Sequence, residues 1–448
     1  MWKLANFVFL CLFRSVLSEK FDFVQTESNP GRIGSAYQDA DDDDGNNNNN
    51  NNENYINFDD LRGCHIYDAG RYDMARGRKP VFFSTGHPQH WDWEQPGVDP
   101  MNNTAGEQWE FDGVSEDGTQ AFIFGVYRDP NYSFMGTGNL RVHAEFTSAG
   151  GSRYAIIDYA EESRIVSCPG RGTRGTWWGE GFEYAFEVSA DMSRVTITID
   201  NPEAKASIVM NSVAPPRYAN NEVWSPASSP TIPPTAGLLT VPHFYWVEPV
   251  PVAVVKVDGF IQEYGRVVWT GMGGHERLWG AFNWPTCLAG LTAVRLRTGP
   301  YALSFLQFGS ARHQGLEVPS LIMAEDGKKV FATQRTEPPR GTNGSADYVL
   351  VRKLYGGDGV TTESLNDKAT GVDLLLVSPT QQKSWRFTVT HKNVMFEYAL
   401  TEGLGGTGYS AVAKGGLVGA DEEWEGSAFT EIMRFPDNWW LLSKNYVG

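Results

Sequence analysis

From residue 61 onward the chain repeats one pattern: short β-branched and aromatic runs, several alternating with period two, cut at close intervals by Gly, Asp and Asn. Residues 121–127, 140–146, 184–188 and 194–199 are such runs, and Asp117-Gly118 supplies a hairpin signal between two of them. Seven prolines between Pro215 and Pro242 then stiffen a strand-poor crossing. The pattern resumes at 252–257, 293–297, 301–308, 348–351, 372–377 and 385–389. No long amphipathic helix competes. A chain written this way must hide many strand edges, which antiparallel barrels and sandwiches do. The expectation is therefore an all-β protein of two domains, 61–235 and 236–448, with a ligand cavity near their junction.

The first sixty residues differ. Residues 1–18 read as a signal peptide: Lys3 leads, 4–12 are apolar, and Val16, Leu17 and Ser18 precede a cleavage point before Glu19. That run is shorter than the roughly 20 residues needed to span a bilayer, so no membrane span is expected. Residues 19–60 hold four consecutive Asp (41–44) and seven consecutive Asn (46–52), a disordered acidic and Asn-rich segment. Sequons at Asn102, Asn131 and Asn343 suit a glycoprotein of the secretory pathway. Cys11 leaves with the leader. Cys64 and Cys168 fall in one predicted domain and are the expected disulfide, with Cys287 left as a buried thiol; a Cys168–Cys287 bridge is the competing pairing.

Lys and Arg number 37 against 54 Asp and Glu, a formal charge of −17. That argues against a nucleic-acid or anionic-membrane partner, both of which need a basic face. The chain has no CxxC, HExxH, P-loop or GxSxG motif, and no GxGxxG that opens a βα unit. Metal, nucleotide cofactor and serine nucleophile thus have no support, and a cofactor-free activity is expected.

Alternation sorts the remaining candidates. Glu107, Trp109 and Phe111 share one face of a strand, with Gln108, Glu110 and Asp112 on the other. If the aromatic face points inward, two readings of Glu107 stand: a protonated carboxyl donating to a substrate carbonyl, or the partner of an arginine such as Arg277. Phe244, Trp246 and Glu248 share a face, with Trp246 as a pocket wall and Tyr245 opposite. His275, Arg277 and Trp279 alternate with Glu276 and Leu278, and His275 reads as a general acid or a hydrogen-bonded structural residue. Trp385, Phe387, Val389 and His391 form an apolar strand face. The adjacent pairs Trp177-Trp178 and Trp439-Trp440 each put one ring in and one out, as core residues do.

Residues 107–113 (EQWEFDG), 244–249 (FYWVEP) and 273–285 (GGHERLWGAFNWP) together resemble motifs of lipocalin-like fungal Diels–Alderases and hetero-Diels–Alderases, related to carotenoid 1,2-hydratases and hydroxyneurosporene synthase-like proteins. The likeness continues through 297–301 (RTGPY) and 385–389 (WRFTV), in order from about residue 80 to 440. Glu110 stands where that family usually has Tyr, and Gly106 where it has Trp. His275-Glu276 replaces the hydratases' Tyr-His-Asp, which weighs against hydration because adding water to an alkene needs a positioned acid. The resemblance implies two lipocalin-like domains and a pericyclase for a [4+2] cycloaddition in fungal secondary metabolism. Its substrate would be a hydrophobic polyketide or terpenoid. Carried onto these positions, Glu107 and Arg277 are catalytic candidates, and Trp109, Trp246, Tyr245, His275, Trp279 and Trp385 are substrate-binding ones. The leader and sequons favour the subgroup that joins a tropolone quinone methide to a humulene-type sesquiterpene. Intramolecular decalin formation and a non-catalytic carrier are the alternatives.

Overall fold

In the computed structural model the described residues are 58, 60–74, 82–83, 93–101, 105–129, 137–225, 244–280, 288–311, 313, 315–339, 345–356, 366–401 and 403–435. The leader, most of 19–60, the three sequons, Cys287, Trp284 and the pair Trp439-Trp440 lie outside them. All secondary structure described is strand. No helix among the described residues is long and apolar enough to cross a membrane.

The strands run β1 (His65–Gly70), β2 (Phe82–Phe83), β3 (Val98–Asp99), β4 (Gly106–Ser115), β5 (Ala121–Arg128), β6 (Arg141–Thr147), β7 (Arg153–Tyr159) and β8 (Glu162–Cys168). Next come β9 (Gly172–Gly179), β10 (Phe182–Ser189), β11 (Arg194–Asn201), β12 (Ala204–Ser212), β13 (Arg217–Tyr218), β14 (Phe244–Ile261) and β15 (Gly265–Gly280). The last group is β16 (Leu288–Thr298), β17 (Tyr301–Ser310), β18 (Glu317–Glu325), β19 (Lys328–Thr333), β20 (Tyr348–Leu354), β21 (Gly371–Ser378), β22 (Lys383–Thr401), β23 (Leu404–Leu417) and β24 (Trp424–Arg434).

Two curled antiparallel sheets result, a lipocalin-like arrangement. The first has thirteen strands in the order β1-β8-β9-β10-β11-β12-β14-β15-β4-β5-β6-β7, with β13 paired to β14. It wraps a core of Trp109, Phe111, Phe124, Trp177, Phe186, Ile197 and Val255. The second has nine, β19-β18-β17-β16-β24-β23-β22-β21-β20, around Leu303, Phe305, Leu321, Leu374, Trp385 and Phe387. Its edges meet where Thr333 Oγ1 donates to Asp347 O at 2.7 Å and Val349 N to Arg335 O at 2.9 Å. The β2–β3 ribbon stands apart.

Sheet membership changes between Gly280 and Leu288, not at the 235/236 boundary expected from the proline-rich crossing. The long strands β14 and β15 complete the first sheet, inserting between β12 and β4. Proline lacks an N–H to give the ladder, and β14 carries Pro249 and Pro251 where its register with β15 shifts between Val247 and Ala253. Stiff chain before β14 marks a crossing within one sheet, because strand pairing and not linker stiffness decides where a body ends.

The Cys64–Cys168 disulfide forms as expected, closing a sequence separation of 104 and fastening the start of β1 to the end of β8. The outer face of β14–β15–β4 packs on β16, β17 and β24. Phe244, Trp246, Leu278, Leu291, Leu306 and Phe308 form one apolar patch of this seam. Gly274 allows the close approach: a Cβ there would lie 2.3 Å from Arg295 Nε.

Candidate active site

Alternation places two different chemistries on the two faces of β4 and β15. Trp109, Phe111 and Trp279 enter the first core, while Glu110 and Asp112 of β4 and Glu276 of β15 turn toward the second sheet. Glu248 of β14, Arg295 of β16, Ser304 of β17 and Glu431 of β24 join them around a cavity in the seam, with Ile123, Val294, Phe305, Leu306 and Phe429 as apolar wall. Its volume is about 30 Å³, space for one water. A larger ligand enters only as seam side chains part.

The polar groups form an ordered set. Arg295 crosses the seam, donating to Asp112, to Glu248 at 3.1 Å and to Pro251 O at 2.6 Å. Burial lowers its guanidinium to about 9. Glu248 also accepts from Ser304 Oγ at 2.7 Å and from Arg217, which reaches Ser320 at 2.7 Å. Opposite them, Glu110 and Glu276 face each other directly in the β4–β15 register. Tyr127 OH donates to Glu110 at 3.0 Å and Trp246 Nε1 to Glu276 at 3.0 Å. Burial raises both carboxyls, Glu276 well above the ordinary range, where the nearby Glu110 charge pushes it further.

Glu431 stands apart from this network. No hydrogen bond to its carboxyl is made among the described residues. Burial, helped by the charge of Glu110 and opposed by Arg295, pushes it up to about 8. At neutral pH Glu431 is therefore largely a neutral acid facing the cavity, with an O–H to give. That is the property expected of Glu107, on a different residue.

Glu107 lies on the opposite face of β4 from Glu110. Its carboxylate accepts from Arg277 at 2.8 Å and from Gly97 N at 2.7 Å, inside the first barrel. Both partners are buried, and the Arg277 guanidinium lies 3.7 Å from the centre of the Trp109 ring. This ion pair supports the bracing reading of Glu107 and Arg277, while the second oxygen, Glu107 Oε1, is buried without a hydrogen-bond partner among the described residues. His275 is also structural: Nδ1 bonds Glu110 O at 2.9 Å, Nε2 lies 3.1 Å from both Glu94 oxygens, and the ring stacks on Phe111 at 4.0 Å. Tyr245 stacks on Trp279 at 5.3 Å on the same inward side. Trp385 sits in the second core against Phe331, away from the seam. Only Trp246 of the expected set reaches the seam. It packs there against Phe308 and under the Arg217 guanidinium, behind Glu276 and not as a cavity wall.

Glu110 and Glu276 were visible as the opposite members of two alternating runs, but aromatic neighbours drew attention to the other face. Glu431 carried a weaker signal, an acid between Phe429 and Met433 on one face of β24. That spacing is ordinary on a surface strand and becomes chemical only when a second sheet covers it.

Known proteins resemble the chain throughout this architecture. Residues 62–436 match the family model described as Diels-Alderase-like. The chain is 44% identical over 384 residues to the Diels-Alderase cheD of Chaetomium globosum, covering 86% of each. It is 43% identical to the Diels-Alderase ffsF of Aspergillus flavipes, over 84% of this chain and 87% of that one. It is 30% identical to the hexane cyclase gkaB of Penicillium citrinum, over 85% of each. Among solved structures, the crystal structure of CghA with Sch210972 superposes with a TM-score of 0.69 at 25% identity, covering 84% of this chain and 99% of that one.

Proposed function

The chain belongs to the Diels-Alderase-like family, and we propose that this enzyme of secondary metabolism accelerates a [4+2] cycloaddition in the seam cavity, with Glu431 as hydrogen-bond donor to the dienophile carbonyl. In such a reaction three π bonds become two σ bonds and one π bond, and no proton or electron is gained or lost. The demands on the protein are a cavity that folds diene onto dienophile and a donor that withdraws density from the conjugated carbonyl. Alignment supplies up to about 7–11 kcal/mol in ideal cases, and one buried hydrogen bond about 1–3 kcal/mol.

The observation that carries this reading is the neutral, unbonded carboxyl of Glu431 beside apolar Ile123, Phe305 and Phe429. Arg295 is a poorer donor because Asp112, Glu248 and Pro251 O already hold its guanidinium. The test is incubation with a linear polyene bearing a conjugated carbonyl, scoring rate and stereochemical ratio against buffer. Faster, more selective cyclisation supports the reading. Binding without any change in rate or ratio would leave a carrier instead.

The narrower proposal is intermolecular: a hetero-Diels–Alder coupling of a tropolone quinone methide to a humulene-type sesquiterpene. Support for it is the reading of residues 1–18 as a secretory leader, together with the sequons at Asn102, Asn131 and Asn343. The Cys64–Cys168 bridge is consistent with passage through an oxidising compartment. Supplying both partners together and finding no coupled product, while a single tethered polyene cyclises, rejects it. Peptide mapping of the exported protein tests the leader and the glycans.

A further inference from the structure

Glu110 and Glu276 are opposite one another across β4 and β15, where two like charges would repel. Each gives one oxygen to a fixed donor: Glu110 accepts from Tyr127 OH and Glu276 from Trp246 Nε1, both at 3.0 Å. Both side chains turn into the same buried cavity, where a charge on Glu110 disfavours one on Glu276. Two carboxyls desolvated side by side do not both ionise, and one proton held between them relieves the repulsion. We propose that Glu110 and Glu276 share one proton as a single unit, and that this pair is a positioning device that keeps the donor Glu431 protonated across the seam.

The inference rests on the reading of Glu431 as donor and extends it to two neighbouring residues that act through Glu431. The surrounding charges say where the proton sits. Arg141 and His143 of β6 favour a charge on Glu110 through space, as does the Tyr127 hydroxyl of β5. Glu276 instead faces Glu248 of β14 and Glu431 of β24, both of which disfavour a charge on it. The proton therefore belongs to Glu276 and the charge to Glu110; burial raises Glu431, and the Glu110 charge adds to that rise against the pull of Arg295. The anchors at each end fix the pair's orientation: Trp246 is packed in the seam and Tyr127 lies under the Arg141 guanidinium, 4.0 Å from its ring centre.

Infrared titration of the carboxyl carbonyl bands tests this without reference to turnover. In the unaltered protein at neutral pH, neutral-acid bands from Glu276 and Glu431 are expected, the second disappearing near pH 8. Glu276→Gln should remove one neutral-acid band and leave the Glu431 band titrating nearly as before, because Glu110 keeps its charge. Glu110→Gln should retain both bands and move the Glu431 titration to lower pH. Tyr127→Phe removes one hydroxyl and serves if Glu110→Gln fails to fold; it should shift the frequency of the pair's band. The proposal is overturned if Glu276→Gln removes no neutral-acid band, or if neither Glu110→Gln nor Tyr127→Phe alters the spectrum. A Glu431 variant with undiminished cyclisation would sink the donor reading while leaving the infrared result for the pair intact.

Discussion

At the residue scale, two buried carboxyls of similar sequence setting differ in what holds them. Glu107 and Glu431 both belong to strands with apolar neighbours, yet Arg277 makes the first an acceptor while the second keeps its proton. Glu431→Leu removes the only donor assigned to the substrate carbonyl and should slow cyclisation by about 10- to 100-fold, the size of one buried hydrogen bond. Glu431→Gln retains an N–H donor and should keep much of the rate. Its more telling effect is on pH. The wild-type rate should fall as pH rises through about 8, where Glu431 ionises, whereas the Gln variant should stay level there. A basic limb that persists in Glu431→Gln assigns the loss to another group.

At the element scale, β22, β23 and β24 bury a histidine outside the site. His391 bonds Ala369 O at 2.9 Å and Thr430 Oγ1 at 2.8 Å, and stacks on Tyr409 at 4.0 Å. Burial lowers it from the ordinary 6.5 to about 4. The unfolded chain therefore binds this proton more readily than the folded one. The stability so gained is complete above about pH 6.5 and is lost as pH falls toward 4, at most about 3 kcal/mol. Denaturant midpoints measured across that window should decline for the wild type and decline less for His391→Gln; parallel curves would discard the assignment. The bridge between β1 and β8 acts on the unfolded chain instead. Closing a loop of about 100 residues is worth up to ~4.7 kcal/mol by the chain-entropy argument, so Cys64→Ala should lower the urea midpoint, and reductant should then have little further effect. Equal midpoints in the two proteins before reduction would mean that the bridge is not made.

At the scale of the whole molecule, the seam holds the two sheets together around the proposed site. Arg295 holds Asp112 and Glu248 of the first sheet from the second. Arg295→Met strands the buried Asp112 carboxylate and leaves Glu248 to Arg217 and Ser304, and breaking such a pair typically costs about 3–5 kcal/mol. The denaturation midpoint should fall by that order, and tryptophan fluorescence from Trp246 in the seam should change with it. An unaltered midpoint would show that the crossing contacts do not hold the sheets together. How much of this the sequence determined follows from what strands encode. Period-two alternation is local, so the all-β class, the strand positions and the two faces of β4, β14 and β15 were legible in it. So was the Cys64–Cys168 pairing, which needed only two cysteines within one body. Which face would carry the chemistry was not legible. Glu110, Glu276 and Glu431 come from strands far apart in sequence, and each is an unremarkable polar position until another sheet removes its water. The tertiary structure alone placed β14 and β15 in the first sheet, and gave Glu107 a hydrogen-bonded arginine and Glu431 none among the described residues. The protonation of a carboxyl depends on its desolvation and its neighbours in space, and neither is written in the order of residues along the chain.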